Sequence, residues 1–125
     1  MSVVNVAVAV IKISGRILIA KRAEHQHQGG LWEFPGGKIE DDESVENALR
    51  RECFEELDIF PTRIEPLTII EHQYTDKSVR LKVCLITDYL GVPMGKEGQP
   101  LVWCPISSLN NYDFPKANQA ILGLI

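Results

Sequence analysis

Residues 37–59 read GKIEDDESVENALRRECFEELDI, an acidic segment with helical spacing that opens on the second of two consecutive glycines. Glu52, Glu55 and Glu56 are spaced i, i+3 and i+4, so an α-helix places their carboxylates on one face, about 5–6 Å apart at Cβ. Like charges at these spacings destabilise a helix by roughly 0.2–0.5 kcal/mol per pair. A divalent cation with oxygen ligands would compensate for this repulsion, so the spacing indicates a metal site.

The segment also fits the pattern G-x5-E-x7-R-E-U-x-E-E-x-G-U, in which U is apolar, through Gly37, Glu43, Arg51, Glu52, Glu55 and Glu56. This pattern resembles the box of the Nudix family, whose members hydrolyse nucleoside diphosphates linked to another group. Cys53 takes an apolar position, and Asp58 replaces the last glycine. Asp tolerates a left-handed conformation better than most residues, so we expect a costlier helix end rather than lost activity. The alternative, an acidic surface helix without a metal, explains neither Gly36 nor Arg51.

The composition is that of an ordinary globular protein, with 125 residues, 45% hydrophobic and 24% charged, so we expect one domain over residues 1–125. The formal net charge is −4, and nine of the 17 acidic residues lie between positions 40 and 58. The acidity therefore marks a site and argues against general affinity for nucleic acid. A polyphosphate could approach this site only with a metal present.

The cysteines and the apolar residues 3–13 indicate the cellular location of the protein. Cys53, Cys84 and Cys104 are odd in number and widely spaced, which argues against a disulfide framework and a structural zinc site. We expect buried reduced thiols and a cytoplasmic monomer. Residues 3–13 lack a basic flank and are too short to span a bilayer, so they predict a strand rather than a targeting or membrane segment.

The hydrophobic pattern predicts a mixed α/β fold, in which a mixed β-sheet is sandwiched between helices. Extended segments are predicted at residues 3–13, 16–22, 32–34, 63–75, 78–90 and 101–104. One helix is predicted at about residues 42–57, with an apolar stripe formed by Val45, Ala48, Leu49, Cys53 and Leu57. A second helix is predicted in the tail at residues 115–125, with Pro115 in its first turn. This order resembles the Nudix fold.

The resemblance implies a metal centre on the first helix. Glu52 and Glu56 would be direct ligands of Mg²⁺, for which Mn²⁺ could substitute, and the Gly36 carbonyl would complete the site. Glu55 could join them from the adjacent helical row. Family members carry an additional metal-binding or base glutamate in the region of Glu97, whose alternative is a solvated loop residue. Glu52 and Glu97 both remain candidates for the base that accepts the proton of the attacking water.

Arg51 and Glu43 are interpreted as supporting residues of this centre. A guanidinium can hold catalytic carboxylates in place through bidentate hydrogen bonds. An ordinary helix salt bridge is an equal alternative for this pair.

Five segments resemble the MutT branch of the family, which hydrolyses 8-oxo-dGTP to 8-oxo-dGMP and pyrophosphate and so protects the nucleotide pool. They are residues 21–22, the loop containing His27, residues 32–38 (WEFPGGK), residues 95–100 (GKEGQP) and residues 113–118 (DFPKAN). The resemblance implies a small nucleotide substrate that is bound by Arg22, His27, Glu33, Phe34, Pro35, Gly36, Lys38 and Asn118. Lys116 departs from the branch, which commonly has a second proline there, and could loosen the loop that presents Asn118.

Asn118 offers a chemical basis for choosing the oxidised base. Oxidation at C8 turns guanine N7 from an acceptor into an N–H donor beside the O6 acceptor. The amide of Asn118 could accept from N7–H and donate to O6, whereas unmodified guanine would set a lone pair against the amide oxygen. A buried mismatch of this kind costs about 1–3 kcal/mol. The alternative for Asn118 is a helix cap or a surface residue.

Two nucleotide-contacting side chains also have simpler interpretations. Arg22 could hold a phosphate or a base edge, or it could be a surface charge at the end of a strand. Phe34 could pack on the purine, or it could belong to the core.

Other functions fit parts of the sequence. A pyrimidine triphosphate pyrophosphatase would share the acidic box and the strand at residues 101–103, but less of the tail at residues 113–118. A non-catalytic nucleotide sensor would usually lose a carboxylate of the box, and none is lost here. The complete acidic set also argues against a lesion-recognition domain of a DNA glycosylase.

Overall fold

The computed structural model describes residues 2–25 and 29–125. In chain order its elements are β1 (Ser2–Ile13), β2 (Arg16–Lys21), β3 (Trp32–Glu33), β4 (Gly36–Lys38), α1 (Val45–Leu57), β5 (Phe60–Gln73), β6 (Lys77–Leu90), β7 (Leu101–Pro105), a 3₁₀ helix (Ile106–Asn111) and α2 (Lys116–Leu122). All predicted strands and both predicted helices are present. Strand β4 and the 3₁₀ helix were not predicted. Within the two described ranges, no helix has the length and apolarity needed to cross a bilayer.

Strand β1 is the centre of a mixed sheet with the order β3-β2-β1-β6-β5. It pairs in parallel with β6 and antiparallel with β2 and β4, while β7 pairs with β2. Strands β5 and β6 form the predicted antiparallel hairpin, with Gln73 opposite Ser78. Residues 7–11 of β1 are buried because helices cover both faces of the sheet at this point.

Each face of the sheet has its own hydrophobic core, because successive side chains of a strand point to opposite sides. Val10 of β1 faces the core that contains Ile121 of α2. Ala9 of β1 faces the core that contains Leu49 and Cys53 of α1. The predicted sandwich of a sheet between helices is therefore confirmed, and all three cysteines are buried and free, as expected.

Both helices begin slightly later than predicted. Helix α1 begins at Val45 rather than near Asp42, because Asp42 is left-handed at φ 64° and Ser44 caps the helix. The Ser44 hydroxyl accepts a hydrogen bond from the Asn47 N–H at 3.1 Å. In α2, Pro115 occupies the N-cap position rather than the first turn.

Helix α1 ends at Leu57 and is capped by Asp58, which adopts the left-handed conformation with φ 60° and ψ 33°. Its N–H donates to the carbonyls of Cys53 and Phe54, as is usual for a residue that closes a helix. The prediction that Asp replaces glycine in this conformation is confirmed. The Cys53 side chain is fully buried, so it does serve as the apolar residue of the pattern.

Replacing Asp58 with Gly should stabilise the protein, because glycine removes the steric cost of the left-handed backbone. We expect the free energy of unfolding to rise by about 1 kcal/mol in urea denaturation. The lost contact between Asp58 and Lys96, at 3.9 Å near the surface, is worth little. Asp58→Ala is the matched control and should lower stability. A glycine variant no more stable than the wild type would show that backbone strain at this position has no measurable cost.

Candidate active site

Glu56 projects from α1 towards strand β4. Its Oε2 accepts a hydrogen bond from the Gly36 N–H at 3.2 Å. Gly36 pairs with Val8 of β1 and has φ 148°, and a Cβ at this position would overlap the Ala7 carbonyl oxygen. Only glycine therefore lets β4 lie against β1 with its N–H available to Glu56.

The Glu56 side chain is half-buried, and desolvation of its carboxyl group raises its pKa to about 8. The hydrogen bond from Gly36 opposes the effect, while the negative charges of Glu52, Glu33 and Glu97 raise the pKa further. These residues come from α1, β3 and the loop that precedes β7. Three separate segments thus bring four carboxyl groups, which we term the carboxylate cluster, close enough to interact electrostatically. An excess of negative charge around a poorly hydrated carboxyl favours a bound cation.

Arg51 holds the neighbouring carboxylates of α1. Its Nε and Nη2 donate to the two carboxylate oxygens of Glu43 at 2.8 and 2.9 Å, so the bidentate contact predicted for this pair is present. Its Nη1 donates to Glu52 Oε1 at 2.8 Å, and its Nη2 also donates to the Lys38 carbonyl at 3.0 Å. Hydrogen bonding to Arg51 is the main reason that the pKa of Glu43 falls to about 2, and the pairing raises the pKa of Arg51.

Glu52 occupies a confined position next to Gly37. A Cβ on Gly37 would overlap the Glu52 carboxyl group. Of the two glycines that precede α1, Gly36 thus donates its N–H to Glu56, and Gly37 leaves space for the Glu52 carboxyl group.

Two cavities open beside the carboxylate cluster. The larger, the carboxylate cleft, measures about 640 Å³ and is lined by Ala20, Lys21, Arg22, Ala23, Glu24, His25, Glu33, Pro35, Gly36, Glu56, Leu57, Glu97, Gly98, Gln99 and Pro100. The smaller, the Asn118 pocket, measures about 250 Å³ and is lined by Val6, Ala7, Val8, Arg22, Glu33, Phe34, Gly36, Gly37, Tyr74, Val79, Leu81, Pro115, Ala117 and Asn118. Arg22, Glu33 and Gly36 line both, so the two cavities are adjacent.

The side chains shared by the two cavities are paired with each other. Arg22 Nη1 donates to Glu33 Oε2 at 2.7 Å, and both side chains are partly exposed. This ion pair is compatible with both predicted interpretations of Arg22, a contact to the nucleotide or a surface charge at a strand end.

Phe34 and Asn118 meet in the smaller cavity. Phe34 is 4% exposed and stacks on Phe114 with ring centroids 5.2 Å apart, so it belongs to the core and also lines the Asn118 pocket. Asn118 lies in the first turn of α2, and its N–H donates to the Pro115 carbonyl. Because Pro115 is the N-cap and no side chain caps this helix, the helix-cap alternative for Asn118 is wrong.

Some predicted site residues lie elsewhere. Glu55 is 56% exposed, pairs with Arg51 at 3.7 Å and lines neither cavity. The Lys38 side chain is exposed, and its carbonyl is the group that contacts Arg51. His27 lies outside the described residues. Tyr74, which lines the Asn118 pocket, was missed because the hairpin that carries it shows only a strand pattern.

The donors around Glu56 suit a hard cation. Glu56 and Glu52 offer carboxylate oxygens, although Glu52 is paired with Arg51 and lines neither cavity, while the sulfur of Cys53 belongs to the core. In the part of the chain that the structure describes, no three His, Cys, Asp or Glu side chains already surround one point suitable for an ion. Mg²⁺ is commonly held by one or two carboxylates together with water and substrate phosphates, so this arrangement fits it.

Comparison with known proteins identifies the family of this chain. The family model described as NUDIX domain matches residues 6–124. The 8-oxo-dGTP diphosphatase of Escherichia coli K12 is 37% identical over 98% of this chain and 95% of its own length. The CTP pyrophosphohydrolase of the same strain is 36% identical over 98% of this chain and 90% of its own length.

A solved structure extends the likeness to three dimensions. The MutT NUDIX hydrolase from Burkholderia pseudomallei superposes with a TM-score of 0.90 at 28% identity, covering 100% of this chain and 99% of that one. The chain therefore belongs to the NUDIX family. Within that family it is a MutT-like hydrolase.

The raised pKa of Glu56 predicts how the stability of the metal-free protein depends on pH. The folded state keeps the Glu56 proton up to about pH 8, whereas the unfolded chain releases it near pH 4.5. The folded state thus binds more protons between these values, and the free energy of unfolding should fall as pH rises, by at most about 1.4 kcal/mol per pH unit. Glu56→Gln should remove this fall in the free energy of unfolding. The variant should therefore be more stable than the wild type at pH 8, but not at pH 4.

Urea denaturation in the presence of EDTA at pH 4, 6 and 8 measures this difference. Glu46→Gln changes the same charge at an exposed position of α1 and should keep the pH dependence of the wild type. Parallel pH profiles for the wild type and Glu56→Gln would show that the Glu56 carboxyl is ordinarily hydrated.

Proposed function

We propose that the protein is a Mg²⁺-dependent pyrophosphohydrolase that converts 8-oxo-dGTP, and also 8-oxo-GTP, to the monophosphate and pyrophosphate. The observation that carries the proposal is that the carboxylate cleft and the Asn118 pocket adjoin at Arg22, Glu33 and Gly36. A nucleotide can then place its phosphates beside the acidic residues and its base against Asn118.

Metal binding is assigned to Glu56 and Glu52, with the Gly36 carbonyl as a third ligand and Glu97 as an additional one. A bound Mg²⁺ would supply charge neutralisation on the phosphate oxygens and a lowered pKa for the attacking water. Arg51 and Glu43 would act as positioning residues, because Arg51 bonds both Glu43 and Glu52. These roles are supported by the burial of Glu56 and by the contacts of Arg51.

The reaction would be a substitution at the β-phosphorus. The water oxygen forms a bond to this phosphorus, the bond from the phosphorus to the oxygen bridging to the α-phosphate breaks, and that oxygen leaves with the monophosphate. The water proton passes to a carboxylate, for which Glu52 and Glu97 are both candidates. Arg22 lies at the junction of the two cavities, where it would reach a phosphate by exchanging its contact with Glu33.

Base selection is assigned to the Asn118 pocket. The first turn of α2 presents Asn118 to a cavity whose other walls include the buried ring of Phe34 and the side chain of Tyr74. An amide at this position can pair with the N7–H and O6 edge of 8-oxoguanine. Contact of the base with the buried Phe34 ring would raise the cost of a mismatched hydrogen bond.

A pyrimidine triphosphate pyrophosphohydrolase is the second candidate. It is favoured by one observation, namely that the CTP pyrophosphohydrolase resembles this chain as closely, at 36% identity, as the 8-oxo-dGTP diphosphatase does at 37%. The acidic residues would serve both activities equally. The two functions therefore differ at the base pocket and must be separated by substrate.

Turnover of 8-oxo-dGTP, dGTP and CTP with Mg²⁺ separates the candidates. We expect kcat/KM for 8-oxo-dGTP to exceed both other values by at least about tenfold, because a buried polar mismatch discriminates strongly. In water labelled with ¹⁸O, the label should enter pyrophosphate. A higher kcat/KM for CTP would establish the second candidate, and label in orthophosphate with a nucleoside diphosphate product would exclude both.

Asn118→Ala should weaken binding of 8-oxo-dGMP much more than binding of dGMP. Loss of two hydrogen bonds to the base should cost about 1–3 kcal/mol, or about 10- to 100-fold in Kd. Calorimetric titration of both nucleotides measures the effect, and Asn110→Ala, at an exposed position of the 3₁₀ helix, serves as the control. A variant that keeps its full preference for 8-oxo-dGMP would assign base selection to other groups of the pocket.

A further inference from the structure

The loop that precedes β7, residues 91–100, is hydrogen-bonded to the end of α1. The carbonyls in the last turn of a helix have no partner within the helix and must find one outside. Here the Met94 N–H donates to the Leu57 carbonyl at 3.0 Å, and the Lys96 N–H donates to the Glu56 carbonyl at 3.1 Å. The Gln99 side chain also donates to the Glu56 carbonyl, through its Nε2 at 3.0 Å. The loop is thereby held at the residue whose side chain lies at the centre of the carboxylate cluster.

The oxygen of the Gln99 side-chain amide contacts the main chain of Glu97. Gln99 Oε1 accepts a hydrogen bond from the Glu97 N–H at 2.9 Å. One partner of the amide can only accept and the other can only donate, so the orientation of the amide is determined by its contacts. A single side chain therefore connects the main chain of Glu97 to the main chain of Glu56.

The loop is shaped to permit this connection. The Gly98 N–H donates to the Gly95 carbonyl at 3.0 Å, which makes residues 95–98 a tight turn. A Cβ on Gly95 would overlap the Gln99 carbonyl oxygen. The main chain at Gly95 therefore approaches the main chain at Gln99 so closely that only glycine fits. Glu97 lies at the exposed tip of this turn and lines the carboxylate cleft. Its position relative to Glu56 depends on how the main chain of the turn is held.

We propose that Gln99 is a positioning residue of the reaction, which acts by fixing Glu97 relative to Glu56 across the carboxylate cleft. This inference rests on the proposed function of Glu97 at that cleft. Because Gln99 acts through Glu97, its loss should lower kcat with little change in KM. A purely structural contact at the helix end would instead change stability alone.

Lys96 provides a matched control. Its Nζ lies 3.5 Å from the Phe54 carbonyl, 3.9 Å from the Asp58 carboxylate and 4.7 Å from the centre of the Phe54 ring, all at the end of α1. Lys96→Met therefore removes side-chain contacts between the same loop and the same helix end. It leaves both hydrogen bonds of the Gln99 amide in place.

Steady-state turnover of 8-oxo-dGTP should be compared for the wild type, Gln99→Leu, Lys96→Met, Glu97→Gln and the Glu97→Gln/Gln99→Leu double variant. We expect Gln99→Leu to lower kcat by about 10- to 100-fold, a size typical of a misplaced group, while Lys96→Met stays near the wild type. In the Glu97→Gln background, Gln99→Leu should have little further effect. An equal loss of kcat with and without the Glu97 carboxylate would overturn the proposal, as would a Glu97→Gln variant of wild-type kcat.

Amide hydrogen exchange in the metal-free protein tests the connection without relying on activity. The Glu97 amide should exchange at least about tenfold faster in Gln99→Leu than in the wild type, and Lys96→Met should not change it. Unchanged exchange in Gln99→Leu would refute the connection itself. If the wild type does not hydrolyse 8-oxo-dGTP while the exchange result is as expected, the proposed substrate is wrong and the Gln99 connection stands.

Discussion

The hydrogen bond between the Glu56 carboxyl group and the Gly36 main chain is the contact around which the site is built. It requires β4 to lie directly against β1, which the Ala7 carbonyl permits only for glycine. It also requires α1 to lie close to the sheet, and the small side chains of Ala7 and Ala9 on that face allow this approach. The packing of the core and the position of the Glu56 carboxyl group are thus consequences of the same small residues.

Burial of this carboxyl comes at a cost to stability. A carboxyl group with a pKa of about 8 is partly desolvated and close to like charges, so its ionisation is unfavourable at neutral pH. Two hydrophobic cores, one on each face of the sheet, provide the stability that offsets this local cost. Arg51 limits the cost for the adjacent residues by neutralising Glu43 and Glu52.

Periodicity predicted most of the fold, because long amphipathic or apolar segments have one compatible structure. Helix α1, the β5–β6 hairpin and the left-handed Asp58 were all read from local patterns. Strand β4 was not, because its three residues, Gly36–Lys38, carry no hydrophobic alternation and form a strand only by pairing with β1. The start of α1 was placed too early because the sequence near Asp42 is acidic and compatible with a first helical turn.

The site was predictable where its residues share one helix, and less so where distant segments meet. Glu52 and Glu56 follow from helical spacing. The electrostatic influence of Glu33 on Glu56 depends on strand pairing, and no spacing rule encodes it. The contact of Gln99 with the Glu56 carbonyl joins residues 43 positions apart through a side chain, so local sequence carries no signal of it.

The most direct test of a cation site at Glu56 is calorimetric titration of Mg²⁺ into the wild type, Glu56→Gln and the exposed-site control Glu46→Gln. Saturable binding by the wild type and Glu46→Gln, weakened at least about tenfold in Glu56→Gln, is the predicted result, and equal affinity in all three proteins would contradict it.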